Sequence, residues 1–405
     1  MSRTSKYTDM GWPEYDALWK YDLLSEPELT SELARLAEAS SSHDTDCVTF
    51  QPFPDPAVGN QDRYVVLQWP LANGSWLFRA VFDGHAGHDT VDHVVKTLPD
   101  MIKASLITLL SDQDEPNPSS ISDILADAIS AFDNNLTRDV LQLFPDQRII
   151  SELSDDAIRI LINDHDSGGK NAAIVARCMR GSTVLTSLVD PARSNLWVAS
   201  LGDSQAVLGV KRSHGHWETS LLSSFHNGTN PDEKERILLE HPGEPDCVMD
   251  DRVLGAIAVT RAVGDHLFKL PSIYTERIFK NAKPGFSFTK KIDDFLLRNK
   301  TPPYLSNRPD VRHVKLGATD SLLIMCSDGL LDLYEDYDLS LRDVADLWVK
   351  FLGRRETSRD NPNRALSLLR EALGGEDADK VSRMMTVEMD FRWMDDTTIV
   401  VQRLR

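Results

Sequence analysis

The chain has 405 residues, 41% of them hydrophobic and 26% charged, the balance of a globular protein able to bury a sizeable core. A formal net charge of −19 argues against nucleic acid as a partner, because phosphates demand a basic face. No apolar run approaches the ~20 residues of a membrane span. Cys47, Cys178, Cys247 and Cys326 form no CxxC pair and read as buried free thiols of a reducing compartment.

Residues 1–46 read as an N-terminal extension. Arg3, Lys6 and Lys20 stand there against Asp9, Glu14, Asp16 and Asp22. A transit peptide is poor in acids and a signal peptide has an apolar core, so the expected location is cytoplasmic. Ser25 with Glu28 signals a capping-box helix whose Leu29, Leu33 and Leu36 share one face, and Ser40 to Asp44 reads as a linker. From Cys47 the character changes. Residues 63–69 and 76–82 are predicted strands, joined by the hairpin signal Asn73-Gly74. A helix opens after His88 and is interrupted at Pro99. A second carries Ile121, Ile124, Leu125, Ala128, Ile129 and Phe132 at helical spacing. Residues 183–189, 195–201, 206–210 and 217–222 are predicted strands, 231–240 a helix and 321–326 a strand. Residues 340–352 and 363–373 read as helices, each followed by a glycine, Gly353 and Gly374, suited to a C-cap. Residues 398–403 are a last strand. Strands in runs and helices in pairs, without βαβ alternation, predict an α+β fold of antiparallel sheets with helices packed outside them.

Aspartates recur at the strand ends. The stretch "LFRAVFDGHAGHDT" leaves a predicted strand into Asp83, Gly84, His85, His88 and Asp89. The strand 195–201 ends in Gly202-Asp203-Ser204, and 321–326 ends in Ser327-Asp328-Gly329. Met394-Asp395-Asp396 precedes the last strand, and Gln61-Asp62 lies near the first hairpin strand. One Asp-Gly after a strand is more often a turn, and His88 with Asp89 reads as the start of the following helix. Asp336 and Asp396 read as surface groups or supports for ligands. Taken together, however, several carboxylates at one rim repel one another unless cations sit between them. An oxygen-rich site of that kind suits Mg²⁺ or Mn²⁺ rather than zinc. Two such ions can share a carboxylate and activate a bridging water for in-line attack on phosphorus. A serine or threonine leaving oxygen needs a proton, and His85 is placed to be the general acid.

Five blocks carry a resemblance. "VFDGHAGH", "LWVASLGDSQAVLG", "RVLGAIAVTRAVGD", "LLIMCSDGLLDL" and "MDDTTIVV" occur in the order found in the metal-dependent protein serine/threonine phosphatases of the type 2C or PPM family. The resemblance covers residues 47–405, taken as one phosphatase domain. "HNGTNPDEKERILLEHPGEP" (226–245) and "TPPYLSNRPDV" (301–311) are similar to the pyruvate dehydrogenase phosphatase branch. That likeness offers the mitochondrial matrix as an alternative location and phosphorylated pyruvate dehydrogenase E1 as a candidate substrate. The family resemblance implies a central β-sandwich of two antiparallel sheets flanked by helices. It implies Asp83 bridging two Mg²⁺ or Mn²⁺ ions, Gly84 offering its carbonyl to one, and Asp328 and Asp395 completing the other. Asp203 falls where a weaker third metal is held, His85 at the general acid, and Gln61-Asp62 where two acids order water. Departures are Gln61 for glutamate, Ala57 for a phosphate-binding arginine, Gln205 for arginine and Ala86 for glycine.

Two other functions compete. A zinc metallohydrolase using His85, His88 and Asp89 needs further histidines at strand ends. A phosphoprotein-binding pseudophosphatase has only Gln61 and Ala57 in its favour. The expected partner is a phosphoprotein, and the sequence assigns no oligomeric state. Residues 269–315 form a basic island, with Lys280, Lys283, Lys290 and Lys291 among its cations. It reads as a flap that attracts an acidic phosphorylated surface.

Overall fold

This computed structural model describes residues 4–12, 15–55, 59–113, 116–286, 289–355 and 363–405. The side chains of Thr289, Lys290, Lys291 and Arg355 lie outside that description, as does Ala57. The chain divides into two compact units. The fold is of the α+β class expected, built of antiparallel sheets and many helices.

One unit comprises Met1–Val66, Gln205–Leu222 and Gly317–Arg405. Its six-stranded antiparallel sheet runs Trp217–Leu221, Gln205–Lys211, Ser321–Cys326, Thr397–Arg403, Thr45–Phe50, Ser40–Ser42. Helices Glu28–Leu36, Arg364–Leu373 and Ala378–Thr386 bury Leu29, Leu33, Leu369 and Val381 in one core with Val48, Phe50, Ile324 and Ile399. The hairpin Thr4–Thr8/Trp19–Leu23 packs Tyr21 against Val387 and Met389. Trp12 and Trp393 close that cluster, with ring centroids 6.4 Å apart.

Three local expectations are corrected in this unit. Ser40–Ser42 is an edge strand, not a linker, because its backbone pairs with Thr45–Cys47 whatever its side chains prefer. Ser25 does not cap Glu28–Leu36; Pro27 holds the N-cap position, and the Ser25 carbonyl accepts from Leu29 N–H. Gly353 lies inside the helix Leu341–Arg355 rather than ending it. A Cβ at Gly353 would fall 2.3 Å from Trp217 Nε1, so this glycine serves a close approach to the indole. Gly374 does take the C-cap position of Arg364–Leu373.

The other unit comprises Leu67–Ser204 and Ser223–Leu316. The sheet here runs Asp310–Lys315, Asn195–Leu201, Val184–Val189, Gly74–Phe82, with antiparallel pairing throughout, and its fifth strand is Arg63–Leu71, of which residues 67–71 belong to this unit. Helices Asp89–Asp112, Pro118–Leu143 and Lys170–Met179 pack on one another. Pro99 does not interrupt the first. Val91, Val94, Leu98, Ile102 and Leu106 are buried on both sides of it, and that packing outweighs the ~3 kcal/mol an interior proline costs.

The stretches 226–245 and 301–311 meet. Thr301 Oγ1 and Tyr304 OH donate to Glu244 at 2.6 and 2.5 Å, and Tyr304 stacks on His241 at 4.1 Å. Glu233 accepts from Thr260 Oγ1 at 2.6 Å and pairs with Arg236 and Arg261. Arg261 and His226 both reach Asp310. Several cations of the basic island have partners within the chain. Lys269 pairs with buried Asp133 at 2.8 Å, Arg277 with Asp155 at 3.0 Å, and Lys280 with Asp293, while Arg298 donates to the Leu254 carbonyl.

Candidate metal centre

Asp83 directly follows the strand Gly74–Phe82. Its N–H donates to Thr183 Oγ1 at 3.2 Å, and its carbonyl accepts from Thr183 N–H at 2.9 Å. The next two residues, Gly84–His85, form the edge of a three-stranded sheet with Gly181–Ser182 and Val263–Gly264. His85 is paired with Gly181, which is paired in turn with Gly264. That register carries His85 across to the next residue, Asp265, where Nε2 lies 2.7 Å from Oδ2. A Cβ on Gly181 would sit 2.0 Å from that Oδ2 and 2.1 Å from that Nε2, so only glycine admits the pair. Ala86 and Asp265 both hold left-handed backbone, at φ 62° and 51°, a conformation that costs energy outside glycine and gathers at functional sites.

Asp203 follows the strand Asn195–Leu201 and is buried. Burial raises its pKa; a 2.8 Å hydrogen bond from Asn227 Nδ2 and the proximity of His85 work the other way. Asp83 and Asp203 present carboxylate oxygens within 4.8 Å of each other.

In the unit that holds the six-stranded sheet, Asp328 follows Ser321–Cys326 at the N-cap position of the short helix Gly329–Asp332. Asp332 lies four residues on, over the same face. With Asp395, which precedes Thr397–Arg403, they bring three carboxylates within 4.8 Å of one another. Asp62 is buried beneath them and accepts from Ser327 Oγ at 2.6 Å. Burial, with the charges of Asp396 and Asp395, pushes its pKa up to about 7 against the help of Ser327. Asp396 is buried and supporting, not a surface group. It accepts from Gln51 Nε2 at 3.0 Å and from the Gln61 N–H at 2.8 Å, and Arg392 bridges it to Asp395. Asp336 is exposed.

These donor sets fit a hard divalent ion. Among the described residues, the side-chain groups close enough to share a metal consist of aspartates, with no histidine or cysteine. His88 is the N-cap residue of Asp89–Asp112, as its position after the turn suggests. Five residues bearing on these groups escape a reading of the sequence alone. Asp332 has a signal, four residues past Asp328 in the same block. Asp265 ends another block but gives no sign that it meets His85. Gly181, Asn227 and Ser327 act through register and contact, which no local pattern shows.

The profile of the protein phosphatase 2C family matches residues 58–341. The chain is 26% identical over 366 residues to a protein phosphatase 2C homologue of Schizosaccharomyces pombe, covering 84% of this chain and 76% of that protein. It is 29% identical over 278 residues to the mitochondrial pyruvate dehydrogenase (acetyl-transferring) phosphatase 1 of Saccharomyces cerevisiae. That match takes in 68% of this chain and 44% of the yeast protein. The crystal structure of the serine-threonine phosphatase 2C of Toxoplasma gondii shares the fold, with a TM-score of 0.52 at 17% identity over 90% of this chain and 96% of that one. Fold and profile define the class, a protein serine/threonine phosphatase of metal-dependent type. The chain belongs to the protein phosphatase 2C family. Among the described residues no helix is long and apolar enough to cross a membrane.

Proposed function

We propose that this chain hydrolyses phosphoserine and phosphothreonine in proteins, with Asp83, Gly84, Asp328 and Asp395 holding two Mg²⁺ or Mn²⁺ ions and Asp203 a weaker third. The observation that carries the reading is the oxygen-only grouping of Asp328, Asp332 and Asp395, three carboxylates within 4.8 Å of one another with Arg392 beside Asp395, an excess of negative charge that a divalent ion would offset. Such ions supply Lewis acidity for the attacking water and offset charge on the phosphoryl oxygens. The protein's own residues do the rest. Asp62 and Gln61 order water beside the ligands. His85, oriented at Nε2 by Asp265, protonates the departing serine or threonine oxygen from its other ring nitrogen. Asp265 is thus a positioning residue. Phosphorylated pyruvate dehydrogenase E1 is the substrate to try first, given the likeness to that branch. A mitochondrial location goes with that substrate, a cytoplasmic one with other targets.

The test is hydrolysis of a phosphoserine peptide and of p-nitrophenyl phosphate with Mn²⁺ and with EDTA. Turnover of both with Mn²⁺, abolished by EDTA, is the expected result. Binding of the peptide without turnover of either substrate would mean a pseudophosphatase.

A further inference from the structure

Beside the His85–Asp265 pair lies a cavity of about 290 Å³. His85 and Ala86 form part of its wall. Its apolar lining includes Ile257, Phe268, Ile292 and Phe295, and Phe268 and Phe295 stack with centroids 4.9 Å apart. Arg180 also lines it, buried, and donates to the carbonyls of Pro284 and Gly285, which fixes the chain leading into Phe286. The guanidinium sits 5.9 Å from the Phe286 ring centroid, another part of the wall. Phe268 and Phe295 are buried deep in the cavity, whereas Ile257 is half-buried.

We infer that this cavity receives an aliphatic or aromatic side chain of the phosphoprotein substrate, within two positions of the phosphorylated residue. The inference rests on the proposed function, since it needs the substrate's leaving oxygen at His85. The occupant follows from continuity: the same imidazole bounds the cavity and meets the leaving oxygen, so the peptide must pass over its mouth. An extended chain advances about 3.3–3.6 Å per residue, so a neighbouring side chain reaches the cavity without distortion. The lining selects the chemistry. Several cations of residues 269–315 are spent on internal partners, whereas Ile292 and Phe295 of the same segment face this cavity. At this cavity, apolar burial is what the segment offers a substrate.

The experiment compares phosphoserine peptides carrying leucine, phenylalanine, serine or aspartate at each position from −2 to +2. Leucine or phenylalanine at one position is expected to raise kcat/KM at least about tenfold over serine, the usual worth of an apolar pocket. In Ile257→Glu that ratio should fall toward one. Ala256→Phe, which fills the cavity from its rim, should do the same, so the inference does not hang on one variant's folding. Hydrolysis of all peptides within about twofold of one another, with p-nitrophenyl phosphate turned over normally, would overturn the inference and leave the phosphatase reading intact. If wild type turned over neither peptides nor p-nitrophenyl phosphate, both would fall.

Discussion

Glu233 and Asp62 are both nearly sealed from solvent, at 4% and 2% exposure, yet they live under opposite electrostatics. Burial alone would raise the Glu233 pKa. Hydrogen bonds from Arg261, Arg236 and Thr260 overcome that and bring it down to about 2. Asp62 has a serine hydroxyl and two more acids nearby, and sits at about 7. The first carboxylate carries its cations built in, which makes it scaffold. The second lies among acids, of which Arg392 bridges Asp395 and Asp396, and under the proposed reading divalent ions supply the further positive charge. Burial and acidity do not separate the two; the origin of the positive charge does.

The largest effect should come from taking away a ligand. Asp328→Asn or Asp83→Asn is expected to cut turnover of every phosphate ester at least about 100-fold at saturating Mn²⁺, since even outer partners of ligands cost 10–100-fold. Circular dichroism should show the fold intact. Near-normal rates would break the contrast, because these acids would then need no metal. Next comes His85→Gln, expected to lower kcat for a phosphoserine peptide by ~10²–10⁴-fold and for p-nitrophenyl phosphate far less, since nitrophenolate leaves unprotonated. Gly181→Ala should reproduce that selective loss in weaker form, by wedging His85 from Asp265. Equal losses on both substrates would deny His85 the acid role.

On the scaffold side, Glu233→Gln should lower unfolding free energy by about 3 kcal/mol, the upper worth of hydrogen bonds to a charged group, since half-buried Arg236 and Arg261 keep Glu240 and Asp310 as partners, without changing the Mn²⁺ requirement. Its pH signature has a fixed sign. The folded pKa is depressed from 4.5 to about 2, so the stabilisation is complete above 4.5 and drains away as pH falls toward 2. Urea melts between those values should therefore be less pH-dependent in the variant than in wild type. Smallest is the response to metal alone. Mn²⁺ at 100 times its dissociation constant should raise stability by about 2.7 kcal/mol in wild type and in Glu233→Gln. The rise in melting temperature should vanish in Asp328→Asn.

Sequence reasoning reaches unevenly into this molecule. Asn195–Leu201 and Ser321–Cys326 have the bounds that their apolar runs predict, because Gly202-Asp203 and Ser327-Asp328 punctuate them sharply. The aspartates of the candidate site are legible for the same reason. Pro99 and Gly353 mislead because local rules describe an isolated helix, while here buried neighbours and an indole decide. Asp265 stays hidden because it meets His85 only through the pairing of three short strands far apart in sequence. Glu233 and Arg261 lie only 28 residues apart, yet their charges look like ordinary surface residues on paper.

The strand Thr397–Arg403 lies inside the six-stranded sheet, between Ser321–Cys326 and Thr45–Phe50. During synthesis the early strand therefore waits for a neighbour encoded some 350 codons later, on the order of tens of seconds at ribosomal speed. Through that interval Val48 and Phe50 have no partner strand to cover them, and the nascent chain exposes an open, apolar edge. The protein should accordingly depend on chaperones that shelter nascent chains. Slower translation lengthens that interval and should lower the yield.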